Sequence, residues 1–172
     1  MQSVVWWATI IAVIIATVSD LCTRRIPNWL VLPFLIAGLL FSTFTRGWSG
    51  LAQSLIGVLL AAFLLGLFHL VGGMGMGDVK LCASLGAWIG PHQLVFALAF
   101  MGLAGGLMAF VWAICGGFWK EMLDGTGDLI FGFGKRGFRP HEKLVISNPR
   151  TRKLPYAAAI AIGTVLSFFA AS

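Results

Sequence analysis

The residues best placed to do chemistry are two aspartates, Asp20 and Asp78, because each stands at the edge of a long apolar run. The chain has six acids, and the other four, Glu121, Asp124, Asp128 and Glu142, share one polar stretch near the C-terminus. A carboxylate at the edge of hydrocarbon is costly, so it is usually functional, paired or neutralised. Asp20 closes the first apolar run and Asp78 opens the fourth. If the first helix runs inward and the fourth outward, packing can bring both side chains to one boundary, although they lie far apart in sequence. Two close carboxylates cannot both ionise cheaply. They share a proton, and the ionised one can activate water while the protonated one polarises a carbonyl. Such a pair hydrolyses peptide bonds with neither metal nor cofactor. Blander roles stay open for each alone: Asp20 can pair with Arg24 one helical turn on, and Asp78 can cap the helix that follows it. Lys80 is a poor partner for Asp78, since residues two apart on a helix face different ways.

Beside Asp78 the chain reads Gly72-Gly73-Met74-Gly75-Met76-Gly77, four glycines in six residues. Glycine has no Cβ and tolerates positive φ, so a second backbone can lie close against such a segment. Gly75, Met76 and Gly77, with Lys80 beyond them, are therefore the candidate substrate-binding residues. Irregular backbone at membrane depth is tolerated only under a cover of protein or at a watery cavity.

The elements that must position these groups are membrane helices. The chain is 59% hydrophobic and only 10% charged, far from the roughly 25% charged composition of soluble domains. Apolar runs cover Val4 to Ser19, Trp29 to Phe44, Leu51 to Val71, Val79 to Ile89, Leu94 to Phe118 and Pro155 to Ala170. Judged against the ~20 residues needed to cross a bilayer, they predict an all-α integral membrane protein of about six transmembrane helices, the fourth short. The first run lacks a basic region before it and an A-x-A-like site after it, so a retained helix is expected rather than a cleaved signal peptide. Residues 119–154 form a polar, basic stretch too poor in aliphatic residues to make its own core. With no internal repeat, residues 1–172 are expected to form a single membrane-embedded domain.

Eleven of the twelve Lys and Arg residues fall in three places: Arg24 and Arg25 after the first helix, Lys80 at the fourth, and the long stretch before the last. Arg46 alone falls on the other side. Because basic residues accumulate on the cytoplasmic side, this predicts both termini outside, with Asp20 and Asp78 at the cytoplasmic boundary. The net charge of +6 lies in short inter-helix stretches, not along one soluble face. Anionic lipid headgroups are thus the expected partner, not nucleic acid. Cys22, Cys82 and Cys115 stand singly, which supports neither a zinc ribbon nor a disulfide framework.

Three segments resemble one family. Gly75-Met76-Gly77-Asp78-Val79-Lys80-Leu81 is similar to the GxGD motif of type IV prepilin peptidases, and Asp20-Leu21-Cys22-Thr23-Arg24-Arg25-Ile26-Pro27-Asn28 resembles the segment of their first aspartate. Lys153-Leu154-Pro155-Tyr156-Ala157, with Gly163, resembles the Pro-Tyr segment that opens their last helix. The resemblance implies an intramembrane aspartyl endopeptidase that removes the short basic leader of pilin-like precursors (prepilins or pseudopilins) at the cytoplasmic face of a bacterial inner membrane. Asp20 and Asp78 would be its catalytic pair. Longer family members add an N-terminal region with C-x-x-C cysteines and an N-methyltransferase activity. With no such region here, cleavage without methylation is expected, most like the short peptidases of tight-adherence (Flp) pilus systems.

Other patterns compete less well. Gly125-Thr126-Gly127-Asp128 also fits G-x-G-D, but it lies in the polar stretch with no Lys-Leu after it. Gly47-Trp48-Ser49-Gly50 resembles the G-x-S-G of rhomboid serine proteases, with His92 on the same side, yet both sit in expected short loops, where Ser is commonly a turn residue. No H-E-x-x-H is present to bind zinc. His69 and His141 read as structural or solvated residues. A transporter or proton pathway would also use membrane carboxylates beside glycine breaks, but no inverted repeat accompanies these. A non-catalytic assembly factor would not need either aspartate.

Overall fold

The computed structural model describes residues 2–23, 26–70, 74–116 and 156–170, and every element among them is helical. The helices are α1 (Gln2–Thr23), α2 (Asn28–Leu70), α3 (Met76–Gly116) and α4 (Tyr156–Ala170). The stretch 119–154, and with it Asp128 and the other three loop acids, lies outside the described residues, as do Arg24, Arg25, Gly72 and Gly73.

α2 and α3 are each two helical arms joined at a single glycine. In α2 the break is Gly47, with φ 62° and ψ −146°, and in α3 it is Gly90, with φ 74° and ψ 174°. Both φ values are positive, a region that glycine populates freely and L side chains rarely adopt. Pro91 follows Gly90 at the start of the second arm of α3, where its missing N–H costs nothing and its fixed φ suits a helix start. The described residues thus form six arms, which follow the order of the six apolar runs. What reads in sequence as two short loops is helix interrupted at one residue. Around Gly47 nearby hydroxyls bond back along their own turns. Thr43 Oγ1 donates to the Leu39 carbonyl at 2.7 Å, Thr45 Oγ1 to that of Phe41 at 2.8 Å, and Ser49 Oγ to that of Arg46 at 2.8 Å. The arm that begins at Met76 takes in Gly77 and Asp78 as helical residues, so it starts earlier than the apolar run at Val79.

Among the described residues, three helices, Ser3–Thr23, Asn28–Leu70 and Met76–Val111, are long and apolar enough to cross a membrane. Their outward faces fit that environment. Trp7, Ile11, Ile14 and Val18 along α1, and Leu59, Phe63 and Leu67 along α2, are exposed, more contiguous apolar surface than a soluble monomer leaves uncovered.

Small residues set the packing, as expected where lipid competes equally for apolar side chains. α2 and α3 cross where Gly57 meets Gly86, and a Cβ added to Gly86 would stand 2.6 Å from the Gly57 carbonyl oxygen. α4 closes on α3 at Gly163, where a Cβ would stand 2.5 Å from the Ala97 carbonyl oxygen. Above the Gly57 crossing the Trp88 ring stacks between Phe34 and Phe41, at centroid distances of 5.1 and 5.4 Å, and its Nε1 donates to the Phe34 carbonyl at 2.8 Å. The core then runs through Leu81, Leu85, Leu94 and Ile160 between α3 and α4, with Val13 and Ala16 of α1 against it.

Candidate active site

One end of the bundle gathers the last turn of α1, the first and last turns of α2, and the starts of α3 and α4. Gly75 is the N-cap of α3. Its carbonyl accepts from the Asp78 amide at 3.1 Å and from the Val79 amide at 3.4 Å, which makes Asp78 the third helical residue rather than the cap. From there the Asp78 side chain reaches back over the cap and accepts from the Gly75 amide, one half of a capping box. A Cβ on Gly75 would stand 3.0 Å from Asp78 Oδ2. Glycine at this position therefore leaves room for the carboxylate to fold back. Asp78 is 9% exposed.

Asp20, half-buried on the last turn of α1, lies within electrostatic range of Asp78. The structure therefore brings together the two carboxylates singled out in sequence. The Tyr156 phenol at the start of α4 and the buried Cys82 thiol one turn after Asp78 are within the same range of the Asp78 carboxylate. Cys82 also faces Met101, Sγ to Sδ 3.9 Å, as befits a small core residue. α1 and α4 are tied beside the site by Thr17 Oγ1, which contacts the Ala157 carbonyl at 3.2 Å while donating to that of Val13 at 2.7 Å.

The segment after Asp20 is held against the start of α3. A Cβ on Gly77 would stand 3.2 Å from Ile26 Cβ, so Gly77 lets Ile26 approach the first turn of α3. Lys80 Nζ donates to Asn28 Oδ1 at 3.2 Å. Lys80, expected beside a substrate, thus has a partner within the chain, and the contact joins the Ile26-Pro27-Asn28 segment to the segment of Asp78. Met76 is half exposed at the same end.

Two further residues, Tyr156 and His69, stand at this end of the bundle. Tyr156 carries the resemblance at the last helix, and its sequence context points to no site role. His69, read as structural or solvated, places Nδ1 2.8 Å from the carbonyl of the buried Met74. A carbonyl only accepts, so Nδ1 carries the proton. Neither contact leaves a local sequence signal, because each partner is brought in by packing or is backbone.

The rhomboid-like residues are engaged otherwise: Ser49 bonds its own turn, and His92 sets its ring edge to Phe96 with centroids 5.3 Å apart. A cavity of about 500 Å³ opens at the other end of the bundle, between Trp6, Phe41, Arg46, Trp88 and Phe168. Among the described residues, no acid, histidine or cysteine lines it.

The chain is similar to several known proteins. The prepilin leader peptidase/N-methyltransferase of Aeromonas hydrophila is 35% identical over 115 residues, 59% of this chain and 39% of that protein. That of Burkholderia pseudomallei strain 1026b is 37% identical over 107 residues, 57% of this chain and 35% of that protein. The Bacillus subtilis protein of the same description is 29% identical over 158 residues, 90% of this chain and 51% of its own length. The chain thus spans about half the length, or less, of these relatives. No solved structure matches it. Residues 7–110, which include both aspartates, match the type IV leader peptidase family, and with its apolar helices the chain is a membrane protein that belongs to that family.

Proposed function

We propose that this chain is an intramembrane aspartyl endopeptidase that removes the short leader of prepilin-like precursors, with Asp20 and Asp78 as its catalytic pair. The observation that supports this reading is that Asp20 lies within electrostatic range of Asp78 at one end of the bundle, both inside the segment that matches the family. Relatives described as prepilin leader peptidases support the substrate class.

The chemistry follows from the pair. The ionised carboxylate takes a proton from water as the oxygen attacks the scissile carbonyl carbon, and the protonated carboxyl gives its proton to the carbonyl oxygen. Collapse of the tetrahedral intermediate breaks the C–N bond: the departing amine takes up the proton that came from water, and a hydroxyl of the intermediate returns its proton to the other carboxylate as the C=O re-forms, which restores the pair. The precursor's apolar helix enters from the lipid while its basic leader stays in water, so that the junction lies along Gly75, Met76 and Gly77.

This mechanism places the pair at the cytoplasmic face of the inner membrane, with the six arms as six spans, the fourth of them short, and both termini outside. It rests on the distribution of Lys and Arg. Cleavage, and not methyl transfer, is the activity assigned to these helices, because a carboxylate pair serves hydrolysis. Purified protein in liposomes, incubated with an Flp-type prepilin and a methyl donor, is expected to release the leader and leave an unmethylated new N-terminus by mass spectrometry. An intact precursor under conditions where a related peptidase cleaves it would refute the proposal.

A further inference from the structure

The His69–Met74 contact has a geometric consequence for Asp78. The Met74 carbonyl and the Gly75 amide belong to one peptide unit, and the chain has no cis peptide bond among the described residues. In a trans unit the C=O and N–H point in opposite directions from one rigid plane. His69 Nδ1–H, 2.8 Å from the Met74 oxygen, grips one side of that plane, and the Gly75 amide on the other side donates to the Asp78 carboxylate. Glycine at 75 leaves the flanking backbone unusually free to rotate, so without a second anchor this plane could tilt. Met74 is buried, which makes the imidazole a partner that water does not readily replace. Hydrogen bonds in series also polarise one another, so donation to the Met74 carbonyl strengthens the Gly75 N–H as a donor.

We infer that His69, from the last turn of α2, is a positioning residue that fixes the Met74–Gly75 peptide plane and through it the orientation of the Asp78 carboxylate toward the scissile bond. This deepens the peptidase reading and rests on it. His69 touches no substrate in this scheme. Its Nδ1–H is present in both the neutral and the charged ring, so what it supplies is the hydrogen bond rather than a charge.

The test is steady-state cleavage of a prepilin in proteoliposomes by His69→Asn, His69→Gln and His69→Ala, each normalised to folded protein in the membrane. The Asn amide nitrogen can occupy the place of Nδ1, whereas that of Gln lies where Nε2 does. Loss of kcat by about tenfold or more is expected for His69→Ala and His69→Gln, the scale of a small misplacement of a reacting group, with KM within about twofold of wild type. His69→Asn is expected to keep kcat near wild type. Equal activity of His69→Asn and His69→Gln, or a loss confined to KM, overturns the assignment. Failure of all three to accumulate in the membrane also overturns it, since His69 would then be a folding determinant. Asp78→Asn is run beside them: if that variant still cleaves, the peptidase reading itself has failed, an outcome distinct from failure of His69 alone.

Discussion

At the scale of single residues, the site depends on where glycine is and is not. Gly75 is the point of greatest leverage, because a methyl group there would press on Asp78 Oδ2 at 3.0 Å. Gly75→Ala is therefore expected to reach the membrane at normal levels yet lose activity by about tenfold or more, as a displaced catalytic group does. The readout is cleavage per unit of membrane protein. At Gly77 the nearest atom is Ile26 Cβ at 3.2 Å, an aliphatic side chain that can yield by a few tenths of an ångström. Gly77→Ala should cost less than Gly75→Ala in the same assay, and the opposite order would mean that the tight spot is the Ile26 contact. The aspartates and glycines were legible in sequence because carboxylates are rare beside apolar runs and clustered glycines are conspicuous. That Gly75, and not Asp78, is the cap was not legible: the choice depends on which amide the carboxylate folds back upon.

At the scale of elements, the carboxylate pair is only as well placed as the crossing of α2 and α3 and the docking of α4. A side chain at Gly57 or Gly86 has backbone in its path, and overpacking of this kind typically costs about 1–3 kcal/mol. Gly86→Val is expected to lower thermal stability in detergent and the amount of folded protein. Its effect on activity should follow from that loss. An active, fully stable Gly86→Val would mean that the helices do not cross there. The apolar runs were readable as helices, but their joints were not. Thr45-Arg46-Gly47-Trp48-Ser49-Gly50 has the composition of a loop, and composition does not show that its hydroxyls bond back into the preceding turn. The Trp88 anchor on Phe34 was equally invisible, since its partner is a backbone carbonyl of another helix.

At the scale of the whole molecule, the two ends of the bundle differ in chemistry. One end holds both aspartates, Lys80, His69 and Tyr156. The other holds Arg46 and an aromatic-lined cavity with Trp6, Trp88 and Phe168. The distribution of basic residues reads the first end as cytoplasmic. A cysteine introduced at Ser3, near the N-terminus, should therefore react with a membrane-impermeant maleimide in intact spheroplasts, and one at Lys80 should not until the membrane is opened. The reverse pattern would invert the assigned orientation. The all-helical architecture and its membrane character were legible from composition alone, because lipid demands a continuous apolar surface and internally satisfied backbone. The meeting of α1, α3 and α4 at one end had to come from packing.

The central claim, that Asp20 and Asp78 act as one hydrolytic pair, is tested most directly by cleavage of a co-expressed Flp-type prepilin with wild type, Asp20→Asn, Asp78→Asn and Asp128→Asn, membrane levels being matched by blot. Loss of processing with Asp20→Asn and with Asp78→Asn, but normal processing with Asp128→Asn, is the predicted result. Mature pilin produced in the absence of either carboxylate would contradict the account.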